Sequence, residues 1–426
     1  MNKHFGLIIS ILIIFLLISC KNYKKNIVIN KKYKINKNYK YNNENSIRFR
    51  GDNGNSISNE KGWNANAITN LSRINWQINI GDGYSAVSIK DGCIYTLGSD
   101  RKNTTETIYC IDFKTGKIIW NFSFPSKKTQ YYGPKATPFI DNDYVYTIGS
   151  AGNVFCLEAV TGKLIWQKHL VNDFNGLPTE YGYTGSPVIE GNILLINSHK
   201  YGIALNKKNG DLIWKSDNEI CGYATPVILN YNNKKYAAVF GAKALYITDY
   251  TNGKLFASYN WKTAFDTNAS DPVAFDNKIL ISSGYNTGCA LLELTGTGLK
   301  EIWINKEIGS QFSSCILVDG KIYGVHGNTG IPGIISKDGL KCIDFNTGKL
   351  LWKIDEGYGS IIYADKKIIY LNDKGKLLII EVNESGYKEI ARSEMKKAHY
   401  WIAPILCRGR LFIRSNRGDV FCMDVR

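Results

Sequence analysis

Ten cysteines, five histidines and 37 acidic residues are the side chains of this 426-residue chain that could ligate a metal, exchange a disulfide or act as nucleophile and base. Their spacing argues against most of that chemistry. No two cysteines are adjacent and no Cys-x-x-Cys occurs, so neither a zinc ribbon nor a dithiol redox pair is written here. His4, His169, His199, His326 and His399 stand singly, without a metal-ligand spacing. No nucleophile elbow and no phosphate-binding loop is present. Aromatics show a pattern instead. In "DGYS", "YYGPKATP", "YGYTGSP", "CGYATP", "SQFSS", "EGYGS" and "AHYWIAP" they sit beside Gly, Ser and Pro, supplying Tyr84, Tyr132 (or its neighbour Tyr131), Tyr183, Tyr223, Phe312, Tyr358, Tyr400 and Trp401. An eighth segment, "NASDP", offers Asp271.

A repeat sets these positions. "TGKIIW", "TGKLIW", "NGDLIW" and "TGKLLW" end at Trp120, Trp166, Trp214 and Trp352, and looser copies end at Ala257, Trp303 and Ala391. With Trp76 in "RINWQINI" they make eight equivalent positions, 39 to 49 residues apart. Each interval holds four short alternating runs bounded by Gly, Asn and Asp, which read as strands joined by tight hairpins. Four strands per ~45 residues predict a propeller blade. After Ala391 only three strands remain, and "LSRINWQINI" supplies a fourth strand with no three before it. The expected fold is therefore all-β, an eight-bladed β-propeller of four antiparallel strands per blade, whose last blade is closed by the N-terminal strand.

The repeat gives its own residues structural work. Thr-Gly or Asn-Gly turns a hairpin, and the indoles of Trp76, Trp120, Trp166, Trp214, Trp303 and Trp352 lie on outer strands where they can pack against the next blade. Cys110, Cys156 and Cys342 stand ten residues before their tryptophans, where the third copy has Ala204, and Cys422 falls on the same strand. A small buried side chain suits that site, and free cysteine behaves as one. The aromatic segments precede the innermost strands and converge on one mouth of the central channel. A rim of that kind fits a protein, peptide or glycan surface; the same rings could equally fill a tapering pore.

The N-terminus carries "LIISILIIFLLIS" after a short basic start, too few apolar residues for the ~20 of a spanning helix, and so reads as an export signal. It ends in Leu17-Ile18-Ser19-Cys20, which resembles the bacterial lipobox. That resemblance implies cleavage before Cys20, acylation of Cys20 and a membrane-anchored, extracytoplasmic protein. Residues 21–45 carry eight lysines and one glutamate, a large share of the net charge of +16. No nucleic-acid motif accompanies them, so they are read as a solvated tether and nucleic acid is not expected as a partner. The expected organisation is a signal peptide at 1–19, a tether at 20–46 and a propeller at 47–426.

Cys110-Asp112-Thr115-Gly116-Trp120 and Cys342-Asp344-Thr347-Gly348-Trp352 resemble the tryptophan-docking motif of the pyrroloquinoline-quinone (PQQ) repeat propellers, related to the quinoprotein alcohol dehydrogenases. "FRGDNGNSISNEKGW" and "GRLFIRSNRGDVFCMDV" look like the BamB-like bacterial lipoproteins among them. The resemblance covers about 47–426. It implies either a scaffold, of the kind that serves outer-membrane protein assembly, or a dehydrogenase carrying PQQ and calcium. The enzymes' vicinal disulfide is missing, every repeat is blade-sized, and their calcium and base residues map onto no position here. The expectation is a non-enzymatic scaffold without a cofactor or metal, on the periplasmic face of the outer membrane, with envelope proteins as partners and any small-molecule ligand left open. A PQQ- and calcium-dependent dehydrogenase is the alternative, and a glycan-binding propeller the third reading.

Overall fold

The computed structural model describes residues 45–102, 104–127, 129, 131–327, 339–383 and 386–426, together with the backbone of Ile27–Ile29. Cys20 and most of the 20–46 segment lie outside the described residues. Eight antiparallel four-stranded sheets follow in chain order, spanning 88–125, 139–169, 188–215, 227–260, 273–305, 316–354, 359–394 and 405–424. The last has only Ile405–Cys407, Arg410–Arg414 and Asp419–Asp424 from its own stretch, and Ile74–Asn79 pairs onto it as the outermost strand. This is the predicted eight-bladed propeller with its predicted closure, which leaves no open seam between first and last blades. Ile27–Ile29 adds a short antiparallel strand to the outer edge of blade one. Among the described residues no helix is long and apolar enough to cross a membrane.

The hairpin motif builds each blade in the same way. Asp112 Oδ1 accepts from the Thr115 N–H (2.8 Å) and hydroxyl (2.7 Å), and Asp344 does the same for Thr347 at the same distances. In every blade the pairing of the third and fourth strands slips by one residue beside the tryptophan position. That bulge turns the indole towards the next blade. Trp76, Trp120, Trp166, Trp214 and Trp303 donate their indole N–H to Phe113, Ala159, Lys207, Tyr250 and Phe345 carbonyls at 2.8–3.1 Å, each in the following blade. Each ring also covers that blade's hairpin glycine. At Gly162, φ is +70° and a Cβ would stand 2.6 Å from the Trp120 ring. Opposite the indoles across the sheet lie Cys422, Cys110, Cys156, Ala204 and Cys342, paired with Trp76, Trp120, Trp166, Trp214 and Trp352. The thiols are buried fillers.

The positions without an indole are filled differently. Beside Ala391, Trp63, Ala65 and Ile68 from the segment before the closing strand join Met395 in one cluster. Beside Ala257, Tyr231, Tyr236 and Phe256 pack together. Trp352 is half-buried against Tyr387, and its N–H has no partner among the described residues.

One element has no counterpart in the repeat. Residues 45–63 form a strap across the end of the channel where the first and second strands turn. Ser46 bridges to Ile89 in blade one, Ile140 N donates to Ile47 O in blade two, and Arg50 Nη2 donates to Cys315 O (2.7 Å) ahead of blade six. Ile57–Ser58 pairs in parallel with the inner strand of blade seven, and Glu60 accepts from the Arg408 and Gly409 N–H groups in blade eight.

Candidate functional site

Ala86, Thr137, Ser186, Thr225, Asp271, Ser314, Ser360 and Ala403 hold equivalent positions at the start of the innermost strands, and from Ala86 to Ser314 each meets its equivalent in the next blade. A backbone N–H at this point has no strand beyond it towards the channel, so a side chain must satisfy it. The next blade supplies one. Ala86 N donates to Thr137 Oγ1 (3.0 Å), Thr137 N to Ser186 Oγ (2.9 Å), Ser186 N to Thr225 Oγ1 (3.1 Å), Thr225 N to Asp271 Oδ1 (2.7 Å) and Asp271 N to Ser314 Oγ (2.9 Å). This ladder forms the neck of the channel and accounts for Asp271, the one carboxylate in it.

Arg50 of the strap reaches the neck from below. Its Nη1 stands 3.6 Å from Asp271 Oδ2, Nε donates to Ser56 Oγ (3.0 Å), and both ionic side chains are buried. Burial pushes the Asp271 carboxyl up to about 6, with Arg50 pulling the other way, and burial also lowers Arg50. Desolvation thus outweighs attraction at this separation.

Above the neck is a chamber of about 180 Å³, floored by the Arg50–Asp271 pair and walled by aromatics. Tyr84 stacks on Trp401 at 5.4 Å, Phe312 leans on Trp401 at 5.1 Å, Tyr131 meets Trp401 edge to face, and Tyr181 continues the wall, tilted on Tyr131 and edge to face with Tyr223. Lys135 donates to Tyr131 O (2.7 Å) and Gly133 O (3.2 Å) and lies over the Tyr84 ring; burial lowers its ammonium to about 8.

Of the residues expected at the mouth, Tyr84, Tyr223, Asp271, Phe312 and Trp401 line the chamber. Tyr183, Tyr358 and Tyr400 are buried behind it. Tyr183 and Tyr400 donate to Leu177 O (2.9 Å) and Lys396 O (2.6 Å), and the Tyr358 hydroxyl accepts from Phe312 N (3.0 Å). Tyr132 faces the solvent groove outside the chamber, and Tyr131 takes the lining place. Tyr181, Tyr285, Lys135 and Arg50 join the site without having been singled out from the sequence. The ladder did have a signal: the repeated Thr-Pro, Ser-Pro, Thr-Pro and Asp-Pro at 137, 186, 225 and 271.

The fold and its docking motif define a PQQ-repeat β-propeller. More narrowly, residues 104–354 match the family described as outer membrane protein assembly factor BamB, and the chain belongs to that family. Among solved structures, BamB from Moraxella catarrhalis is similar at TM-score 0.62 and 14% identity, covering 82% of this chain and 99% of that one. The quinohemoprotein alcohol dehydrogenase from Comamonas testosteroni is similar at TM-score 0.65 and 13% identity, covering 89% and 80%. That from Pseudomonas putida is similar at TM-score 0.63 and 11% identity, covering 89% and 80%. Likeness at this identity concerns the fold. No curated protein matches.

The chamber does not suit calcium-assisted quinone chemistry. Calcium takes six to eight oxygens, several from carboxylates. The chamber's one acid, Asp271, is already committed to Thr225 N and Arg50, and among the described residues no group of three potential metal ligands exists.

Proposed function

We propose that this chain is a lipid-anchored, extracytoplasmic scaffold that holds envelope proteins at the aromatic rim, in the service of outer-membrane protein assembly. The rim is the observation that carries the reading. Tyr131, Tyr132 and Phe265 are 41%, 45% and 67% exposed around the mouth, and Leu177 and Ile220 add apolar surface on the same face. Aromatics of that exposure on otherwise plain blades suit a protein interface. Membership of the BamB family supports the same use, and Cys20 supports the anchor.

Co-purification from detergent-solubilised membranes tests the scaffold. The wild type is expected to bring envelope proteins with it, and a Tyr132→Ser/Phe265→Ser double variant to lose them. Equal recovery by both removes the rim from the argument. Cys20→Ala is expected to move the protein from the membrane to the soluble fraction; unchanged retention refutes lipid anchoring.

A further inference from the structure

The chamber has more to offer than a closed pore needs. Its charges are spent: the Arg50 nitrogens face Ser56, Cys315 O and Asp271, Asp271 is held in the ladder, and the Lys135 ammonium donates to the Tyr131 and Gly133 carbonyls. Its donors are not. The Trp401 indole N–H is buried without a partner among the described residues. Ser186 and Ser314, 3% and 8% exposed, accept ladder N–H bonds through their oxygens, and neither hydroxyl proton has an acceptor among the described residues. All three side chains line the same space. A buried donor without an acceptor costs about 1–3 kcal/mol, and three around one aromatic-walled space call for a guest bearing oxygen acceptors.

The guest's other properties follow from the walls. It is uncharged, since Arg50 and Asp271 answer each other and the Lys135 ammonium is held by two carbonyls. It is a ring with apolar faces, since Tyr84, Trp401, Phe312, Tyr181 and Tyr223 present faces and edges over most of the lining. It carries oxygens round its edge, to meet donors from separate blades. A pyranose ring combines these features, with axial C–H groups on its faces and hydroxyls on its rim.

We infer that the central chamber is a binding site for one neutral pyranose residue, either a free sugar or the terminal unit of a glycan. This site meets the outer rim at Tyr131 but lies below Tyr132 and Phe265, so loss of co-purifying proteins in the Tyr132→Ser/Phe265→Ser variant would leave it untouched.

Saturation-transfer NMR and calorimetry on the purified propeller test the inference. The probes are methyl glucoside, methyl galactoside, methyl mannoside and N-acetylglucosamine, each beside its linear tetrasaccharide. At least one monosaccharide is expected to bind at millimolar concentration, with its ring C–H protons receiving saturation. Matching affinity for the tetrasaccharide indicates that a glycan end fits; rejection of the tetrasaccharide indicates a free sugar. Trp401→Ala is expected to weaken binding by about tenfold or more. Tyr181→Ala, nearer the surface, provides a second variant if Trp401→Ala does not fold, with a loss of about fivefold. Silence of every probe overturns the inference, as does binding that Tyr181→Ala and Trp401→Ala both leave unchanged.

Discussion

The indole of Trp120 can be removed in a way that tests the account of blade docking. Trp120 is fully buried, donates to Ala159 O at 2.9 Å and covers Gly162. Truncation to alanine costs about 3–5 kcal/mol in lost packing and cavity, while the Ala159 carbonyl keeps the Tyr95 hydroxyl as a donor at 3.2 Å. Trp352 is only half-buried and its N–H has no partner among the described residues, so the same truncation there costs about 2–3 kcal/mol for half the area of a buried indole. Gly162→Ala supplies the internal control. It meets a left-handed φ of +70° and a ring 2.6 Å from the new Cβ, but the second problem disappears once Trp120 is alanine. Urea unfolding of the wild type, Trp120→Ala, Trp352→Ala, Gly162→Ala and the Trp120→Ala/Gly162→Ala pair measures all of this. Trp120→Ala should lower stability by about 1–2 kcal/mol more than Trp352→Ala, and the pair should cost clearly less than its singles added. Equal costs at the two tryptophans, or strict additivity of Trp120 with Gly162, would falsify the docking geometry.

Two further outcomes concern pH. Asp271 has a folded value of about 6 against an ordinary 3.8, so its contribution to stability is fully present below about pH 4 and is lost as pH rises through 6. The shift corresponds to about 3 kcal/mol, and urea midpoints of Asp271→Asn should lack that fall between pH 4 and 6; an unchanged pH profile refutes it. His326 has the opposite sign. Burial lowers it to about 4 and its Nδ1 accepts from Gly309 N at 3.0 Å, so its contribution is full above pH 6.5 and is lost as pH falls towards 4. His326→Gln should flatten the acid limb of the stability curve, and an acid limb as steep as that of the wild type counts against this role.

The ring was legible in the sequence because its instructions are local. Asp112, Thr115, Gly116 and Trp120 fall within nine residues and act within one hairpin and its neighbour, and the strand count followed from repeating them. The strap was not legible. Residues 45–63 carry no period, and their partners lie in six blades far along the chain. The rim was half legible. Aromatics were visible, but which way each points depends on backbone that breaks alternation. Tyr131 and Tyr285 have φ of 55° and 56°, and such left-handed residues exchange inward and outward faces. That is how Tyr131, rather than Tyr132, comes to line the chamber.

The buried ion pair has an argument of its own. A strap without periodicity needs something to fix its register across the channel, and Arg50 makes contacts on the strap itself and on blades five and six at once. Hydrophobic packing is indifferent to a one-residue slip in a way that a guanidinium with two directed hydrogen bonds and an ion pair is not. On this account the pair confers specificity at some cost in stability. Removing one partner strands the other: Arg50→Met should destabilise by about 3–5 kcal/mol. Removing both charges, as Arg50→Met with Asp271→Asn, should recover most of that loss, because the amide oxygen can still accept from Thr225 N and no buried charge remains. Urea unfolding reads the first effect, and hydrogen exchange of the 45–63 amides reads the second. The recovered double variant should protect those amides less than the wild type does, its strap being held by packing alone. Full protection together with full recovery would show that the pair fixes nothing, and destabilisation of the double variant equal to that of Arg50→Met would show that charge desolvation is not what the single substitution exposes.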